Sequence, residues 1–120
     1  MVQVIQQPAR IQAAGNKPKL IDEYLGRVNT GTSELSIARM RSPEGWVEPA
    51  QCPTFAEFTL VIAGMLRVEH DGGVIEVRAG EMVRVEPGER VRYSTPEPGG
   101  AEYVAVCLPA FTPETAHREP

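Results

Sequence analysis

Turn-forming residues recur about every ten residues along this chain, and this spacing limits what it can fold into. Glycine and proline number 11 each among 120 residues. The segments between them are short and rich in β-forming or alternating residues, as in "FTLVIA" and "VIEVR". Short segments of this kind between regular turn signals predict antiparallel strands joined by tight turns. No segment carries an amphipathic helical pattern of three turns, so the sequence predicts an all-β domain.

The turn signals also predict where individual strands end. Gly64 is expected to end the strand Phe58–Ala63, and His70–Gly73, "HDGG", is expected to form a tight hairpin whose Asp-Gly pair takes the positive φ values. The seven or eight strands predict a sandwich or barrel, most simply a jelly roll. We divide the chain into an N-terminal arm (1–30) on the barrel or on a partner subunit, a barrel (31–111) and an irregular tail (112–120). Within the arm, "KLIDEYLGRV" fits either one helical turn or a short strand.

Composition excludes several classes of function. The net charge is −4, and the Lys and Arg residues are scattered, so we expect no nucleic-acid partner. No apolar run approaches the roughly 20 residues of a membrane-spanning helix, and the N-terminus lacks the pattern of a signal peptide. Two cysteines, Cys52 and Cys107, are too few to staple a small secreted fold. We therefore expect a cytoplasmic protein with two reduced thiols.

One loop and strand carry the spacing of a known motif. In "GWVEPAQCPTFAEFTLVIAG" (Gly45–Gly64), five residues separate the first glycine from Gln51, and Pro53, Glu57 and the last glycine follow at fixed intervals. This resembles the first motif of the cupin family, in which histidines occupy the Gln51 and Pro53 positions and a glutamate the Glu57 position. The spacing is kept, and both histidines are replaced.

The second cupin motif is matched in the same way. In "GEMVRVEPGERVRYST" (Gly80–Thr95), the glycine and the Pro87-Gly88 pair fall at the family's spacing. Val91 occupies the position of the family's third histidine. The resemblance implies a double-stranded β-helix barrel, often dimeric, with a pocket at one mouth. Family members that keep three histidines and the glutamate hold a divalent metal and include dioxygenases, isomerases, cyclases and lyases; others only bind ligands.

The replaced positions argue against a standard metal site. Glu57 offers a hard oxygen ligand and Gln51 a poor one, whereas the side chains that replace the other histidines cannot coordinate. We therefore expect no cofactor. A weakly held divalent metal would need Glu57 and Gln51 together with Cys52 or His117.

A pocket in the barrel mouth would be lined by Trp46, Gln51, Glu57, Val91 and Tyr93. Tyr93 follows Val91 by two residues and therefore shares its face of a strand. Trp46 and Tyr93 each bring a polar tip that could orient a ligand. Glu57 and Tyr93 are the candidate catalytic residues.

Other residues have a structural interpretation. Glu57 could instead face solvent and pair with an arginine of the second motif. Glu48 is expected to be exposed, Cys107 to be a small buried side chain, and His70 and His117 to be solvated.

We consider three functions. The first is binding of a small organic molecule in the barrel mouth without a histidine-based metal. The second is an enzyme of isomerase, cyclase, lyase or dioxygenase type, with Glu57 as acid or base or as part of a non-standard metal site. The third is a structural protein with a filled barrel. Phe58, Leu60 and Ile62 form an apolar face that needs covering, which predicts a homodimer unless the arm covers it.

Overall fold

A computed structural model describes the whole chain, Met1–Pro120. It contains nine strands and one helical turn, and it confirms the predicted all-β class. The elements are β1 (Ala9–Ile11), β2 (Leu20–Leu25), β3 (Ser36–Ser42), β4 (Trp46–Val47), β5 (Ala56–His70), β6 (Gly73–Arg78), β7 (Met82–Val85), β8 (Val91–Thr95), β9 (Ala101–Leu108) and α1 (Pro113–Ala116). No helix is long and apolar enough to cross a membrane.

The strands form two antiparallel layers that share β5. One layer has the order β1-β2-β3-β9-β5-β7, and the other has the order β6-β5-β8-β4. The segment "KLIDEYLGRV" contains a strand and not a helical turn, because Leu20–Leu25 pairs along β3. The N-terminal segment therefore extends the first layer by two strands.

The expectation that Gly64 ends a strand is wrong. β5 runs without interruption from Ala56 to His70 and changes partners at Gly64, from β9 to β6 and β8. Gly64 has a φ of 77°, and a Cβ at this position would collide with the carbonyl oxygen of Gly100. Only glycine accepts this backbone conformation beside a neighbouring main chain. The glycine therefore bends one strand from the first layer into the second.

The predicted hairpin is present, but the residue with a positive φ is not the one predicted. His70 pairs with Gly73 across the turn between β5 and β6. The positive φ, 135°, belongs to Gly73 and not to the Asp-Gly pair.

Inward-facing residues of the two layers form the core. Its larger part centres on fully buried Val61, Leu66 and Val68 of β5. A smaller part surrounds Phe55, whose ring packs edge-on against Phe111 with the centroids 5.8 Å apart. The tail adds to this part through the one-turn helix α1, which Thr112 caps, so the tail is not wholly irregular.

Candidate active site

A cavity of about 60 Å³ lies between the two layers. Inward-facing side chains of β2, β3, β5, β8 and β9 form its walls, and residues of the N-terminal segment and the tail complete it. The wall combines 12 hydrophobic residues with 9 polar or charged ones. This is the usual composition of a small-molecule site.

The connection between β1 and β2 lines part of the cavity and is hydrogen-bonded to β4. The Trp46 Nε1 donates a hydrogen bond to the Ala14 carbonyl at 3.0 Å. Asn16 is bound to β4 by its backbone and by its side chain, whose Oδ1 accepts from the Val47 amide at 2.8 Å. Gly15, with a φ of 120°, lies against the Trp46 ring so closely that a Cβ there would collide with it. We call the connection, residues 12–19, the strap.

Glu57 and Tyr93 face each other inside the barrel. The Tyr93 hydroxyl donates to Glu57 Oε1 at 2.6 Å, and the Cys107 thiol donates to Glu57 Oε2 at 3.5 Å. Burial and the neighbouring Glu57 raise the pKa of Tyr93 well above its ordinary value, and the same two causes raise the pKa of Cys107. Both side chains therefore stay protonated and act as donors to Glu57.

Glu48 belongs to the cavity, which corrects the expectation that it is exposed. It is only 7% exposed, and its Oε2 is buried without a hydrogen-bond partner. Burial is the largest influence on Glu48 and raises the pKa of its carboxyl from 4.5 to about 7. Lys19 and Arg118 lower the pKa, and Glu57 raises it. A carboxyl group with this pKa can give or take a proton near neutral pH.

Two cationic side chains line the same cavity. The Lys19 Nζ lies 4.0 Å from the centroid of the Trp46 ring and 5.1 Å from that of Tyr103. The Arg118 guanidinium lies 5.4 Å from the centroid of the Phe111 ring, and its Nε is buried without a hydrogen-bond partner. The cavity therefore combines cations, carboxyl groups and aromatic faces.

The sequence resembles one curated protein over most of the length of this chain. No family model matches the chain. An endoribonuclease YbeY from Myxococcus xanthus (strain DK1622) is 44% identical over 101 residues, which cover 84% of this chain and 34% of that protein. The chain thus spans about a third of the length of this curated relative.

Solved structures share the architecture at low sequence identity. A predicted oxalate decarboxylase from Thermotoga maritima has a TM-score of 0.71 at 19% identity, covering 90% of this chain and 98% of that one. Streptomyces PAC13, solved with uridine, has a TM-score of 0.73 at 16% identity over 98% of this chain and 88% of that one. A putative ethanolamine utilization protein from Salmonella typhimurium has a TM-score of 0.67 at 16% identity, covering 88% and 98%.

The chain has the cupin fold. The fold inferred from the two glycine-based motifs is confirmed by these neighbours and by the curled antiparallel sheet.

The cupin cavity brings together most of the predicted pocket residues. Trp46, Gln51, Glu57 and Tyr93 all line it. Val91, predicted to line the pocket, instead packs in the core and exchanges two backbone hydrogen bonds with Gln51.

The two proposed rescue donors for a metal lie outside the cavity. Cys52 is exposed and its thiol donates to the Gly88 carbonyl at 3.2 Å. His117 is exposed at the end of α1. No group of three or more His, Cys, Asp or Glu side chains is arranged to hold a metal ion. The residues present therefore do not fit the histidine-based metal centre of the cupin fold, and we derive no chemistry through a metal.

Sequence reasoning missed Glu48, Lys19 and Arg118. Glu48 alternates with Trp46, so the period of a strand was a usable signal for its inward direction. Lys19 and Arg118 reach the cavity from the strap and the tail, and no local pattern marks such long-range placements.

Proposed function

We propose that this protein binds a small organic molecule in the cavity between its two layers. One observation carries the proposal: of the three buried side-chain atoms without partners in the protein, two, Glu48 Oε2 and Arg118 Nε, belong to residues that line the cavity. Buried polar atoms almost always have hydrogen-bond partners, and an exception calls for an explanation. A bound molecule with complementary polar groups would supply both partners.

The cavity volume sets the scale of the ligand. About 60 Å³ suits a compact molecule of a few heavy atoms. An RNA strand is far larger, so the endoribonuclease activity named for the Myxococcus relative is outside this proposal. The net charge of −4 also disfavours binding of a polyanion.

The only tryptophan offers a direct assay. Trp46 lines the cavity and is 1% exposed, so a ligand beside its ring would change its fluorescence. We expect a panel of small polar compounds to contain one that changes this fluorescence saturably and raises the thermal midpoint. Arg118→Met should weaken binding, whereas Arg92→Ala should not, because Arg92 is exposed and paired with Glu69. A panel without any binder, or equal effects of both variants, would contradict the proposal.

A second candidate function is acid–base catalysis, and the environment of Glu48 favours it. Its pKa of about 7 suits proton transfer at neutral pH, and Glu57 with its Tyr93 donor lies nearby. The test is a substrate screen on small carbonyl and hydroxyl compounds, repeated with Glu48→Gln and Glu57→Gln. Turnover that both variants retain would remove the catalytic role.

We further propose that the protein forms a homodimer through the outer face of β5. Leu60 and Ile62 are 42% and 50% exposed, and Met82 adjoins Leu60 across the β5–β7 pairing. An exposed apolar surface of this kind favours burial against a second copy.

A further inference from the structure

The two cations of the cavity differ from the other basic residues. Eight arginines form salt bridges with acidic side chains: Arg10, Arg39, Arg41, Arg67, Arg78, Arg84, Arg90 and Arg92. The Lys17 ammonium donates to the Glu44 carbonyl. Arg27 also lacks a salt bridge, but it is exposed to solvent. Lys19 and Arg118 are only partly exposed, line the cavity and form no salt bridge. Their N–H donors are therefore available to a ligand.

Aromatic rings hold these two cations in place. Lys19 lies over Trp46, and Arg118 lies over Phe111. A ring face attracts a cation by its quadrupole, but it does not replace the acceptors that N–H groups lose when they leave water. An oxyanion between the two side chains would satisfy their donors. Arg118 suits a carboxylate in particular, because a guanidinium can bind both carboxylate oxygens.

The carboxyl groups of the cavity are not equivalent. The oxygens of Glu57 accept from Tyr93 and Cys107, and Glu23 Oε2 accepts from the backbone amides of Val28 and Asn29. Glu48 Oε2 alone is buried without a partner among these groups. The site therefore presents two free sets of donors and one free acceptor.

We propose that the ligand is a small hydroxy acid, an inference that rests on the proposed binding function. Its carboxylate would lie between Arg118 and Lys19, and its hydroxyl would donate to Glu48 Oε2. Both cations are close enough to Glu48 to lower the pKa of its carboxyl. An ammonium group at Glu48 would therefore face two positive charges, which favours a hydroxyl as the donor.

Four two-carbon probes separate the contributions of the carboxylate and the hydroxyl to binding: glycolate, acetate, glycine and ethylene glycol. Glycolate carries the carboxylate and the hydroxyl, acetate lacks the hydroxyl, glycine replaces it with an ammonium, and ethylene glycol lacks the carboxylate. We expect glycolate to bind about tenfold more tightly than acetate, because it pairs the Glu48 oxygen. Glycine and ethylene glycol should bind more weakly than glycolate. Titration of Trp46 fluorescence gives the dissociation constants.

Two variants assign the contacts. Arg118→Met keeps an unbranched apolar stem and removes the guanidinium, so it should weaken glycolate and acetate binding by about tenfold, with little effect on ethylene glycol. Glu48→Met should bring the glycolate-to-acetate ratio close to one. The thermal midpoint of each variant shows that it is folded, and Lys19→Met replaces Arg118→Met if the latter does not fold.

The outcomes separate the two proposals. Glycolate that binds no better than acetate, or less well than glycine, overturns the hydroxy-acid inference. If glycolate does not bind while another small molecule does, the inference fails and the binding function stands. If no compound binds, both fail.

Discussion

Replacing Glu48 with glutamine tests the electrostatics of the cavity through the pH dependence of folding. Glu48 is buried, and burial raises the pKa of its carboxyl from 4.5 to about 7 in the folded protein. The folded state therefore keeps a proton on Glu48 over a range of pH in which the unfolded chain loses it. The contribution to stability is full below pH 4.5 and is lost as the pH rises through about 7.

The size of the effect follows from the two pKa values. A difference of one pKa unit corresponds to about 1.4 kcal/mol, so the rise from 4.5 to about 7 corresponds to roughly 3 kcal/mol in total. Between pH 5 and pH 8 the wild-type protein should lose roughly 2–3 kcal/mol of unfolding free energy. The raised pKa values of Cys107 and Tyr93 change the unfolding free energy only at more alkaline pH. The lowered pKa of Asp22 acts below pH 4.

Urea unfolding followed by Trp46 fluorescence at several pH values measures this loss. The Glu48→Gln variant is nearly isosteric and does not titrate, so its unfolding free energy should change little between pH 5 and pH 8. It should exceed wild type in stability at pH 8. Asp22→Asn is a suitable control, because it should leave the slope in this range intact. Parallel profiles for wild type and Glu48→Gln would refute the burial argument.

Three further predictions concern other parts of the molecule. Tyr93→Phe should lower the unfolding free energy measured in urea by about 1.5–3 kcal/mol, because it removes a buried hydrogen bond to the Glu57 carboxyl group. Tyr103→Phe removes a hydrogen bond to the Ser42 hydroxyl and should lower it by less, and equal losses would contradict this. Gly15→Ala should loosen the strap, lower the thermal midpoint and shift Trp46 emission to the red, and an unchanged spectrum would argue against the strap contact. Light scattering should give the mass of a dimer for the wild-type protein and that of a monomer for the double variant Leu60→Glu and Ile62→Glu. A wild-type monomer at micromolar concentration would exclude the dimer.

The fold could be predicted because its signals are local. Turn residues mark the ends of most strands. The first motif places Gly45 and Gly64, and the second places Gly80 and the Pro87-Gly88 pair, at the spacing of the cupin family. The sequence predicts a strand end at Gly64, because glycine weakens a strand, and a strand that bends and continues gives the same local signal. Continuation of β5 depends on partners in two layers, which no local window contains.

The site was predicted in part for the same reason. Trp46, Gln51, Glu57 and Tyr93 come from strands and loops whose direction follows from the motif spacing, and all four line the cavity. Val91 occupies a ligand position of the motif, but its side chain packs in the core and does not line the cavity. Arg118 reaches the site only because the tail returns along the barrel, where its backbone bridges to Gln51.

The passage of β5 through both layers also bears on the order of folding events. Its pairing with β6 closes a short turn, and this hairpin can form before the rest. Its pairing with β9 joins Glu57 to Cys107, 50 residues apart in sequence. Closing such loops lowers the chain entropy before the stabilising contacts form. The chain therefore belongs among the domains that fold in about milliseconds to seconds. Because neither layer is complete without β5, the two halves of the barrel should not form one after the other as separate units.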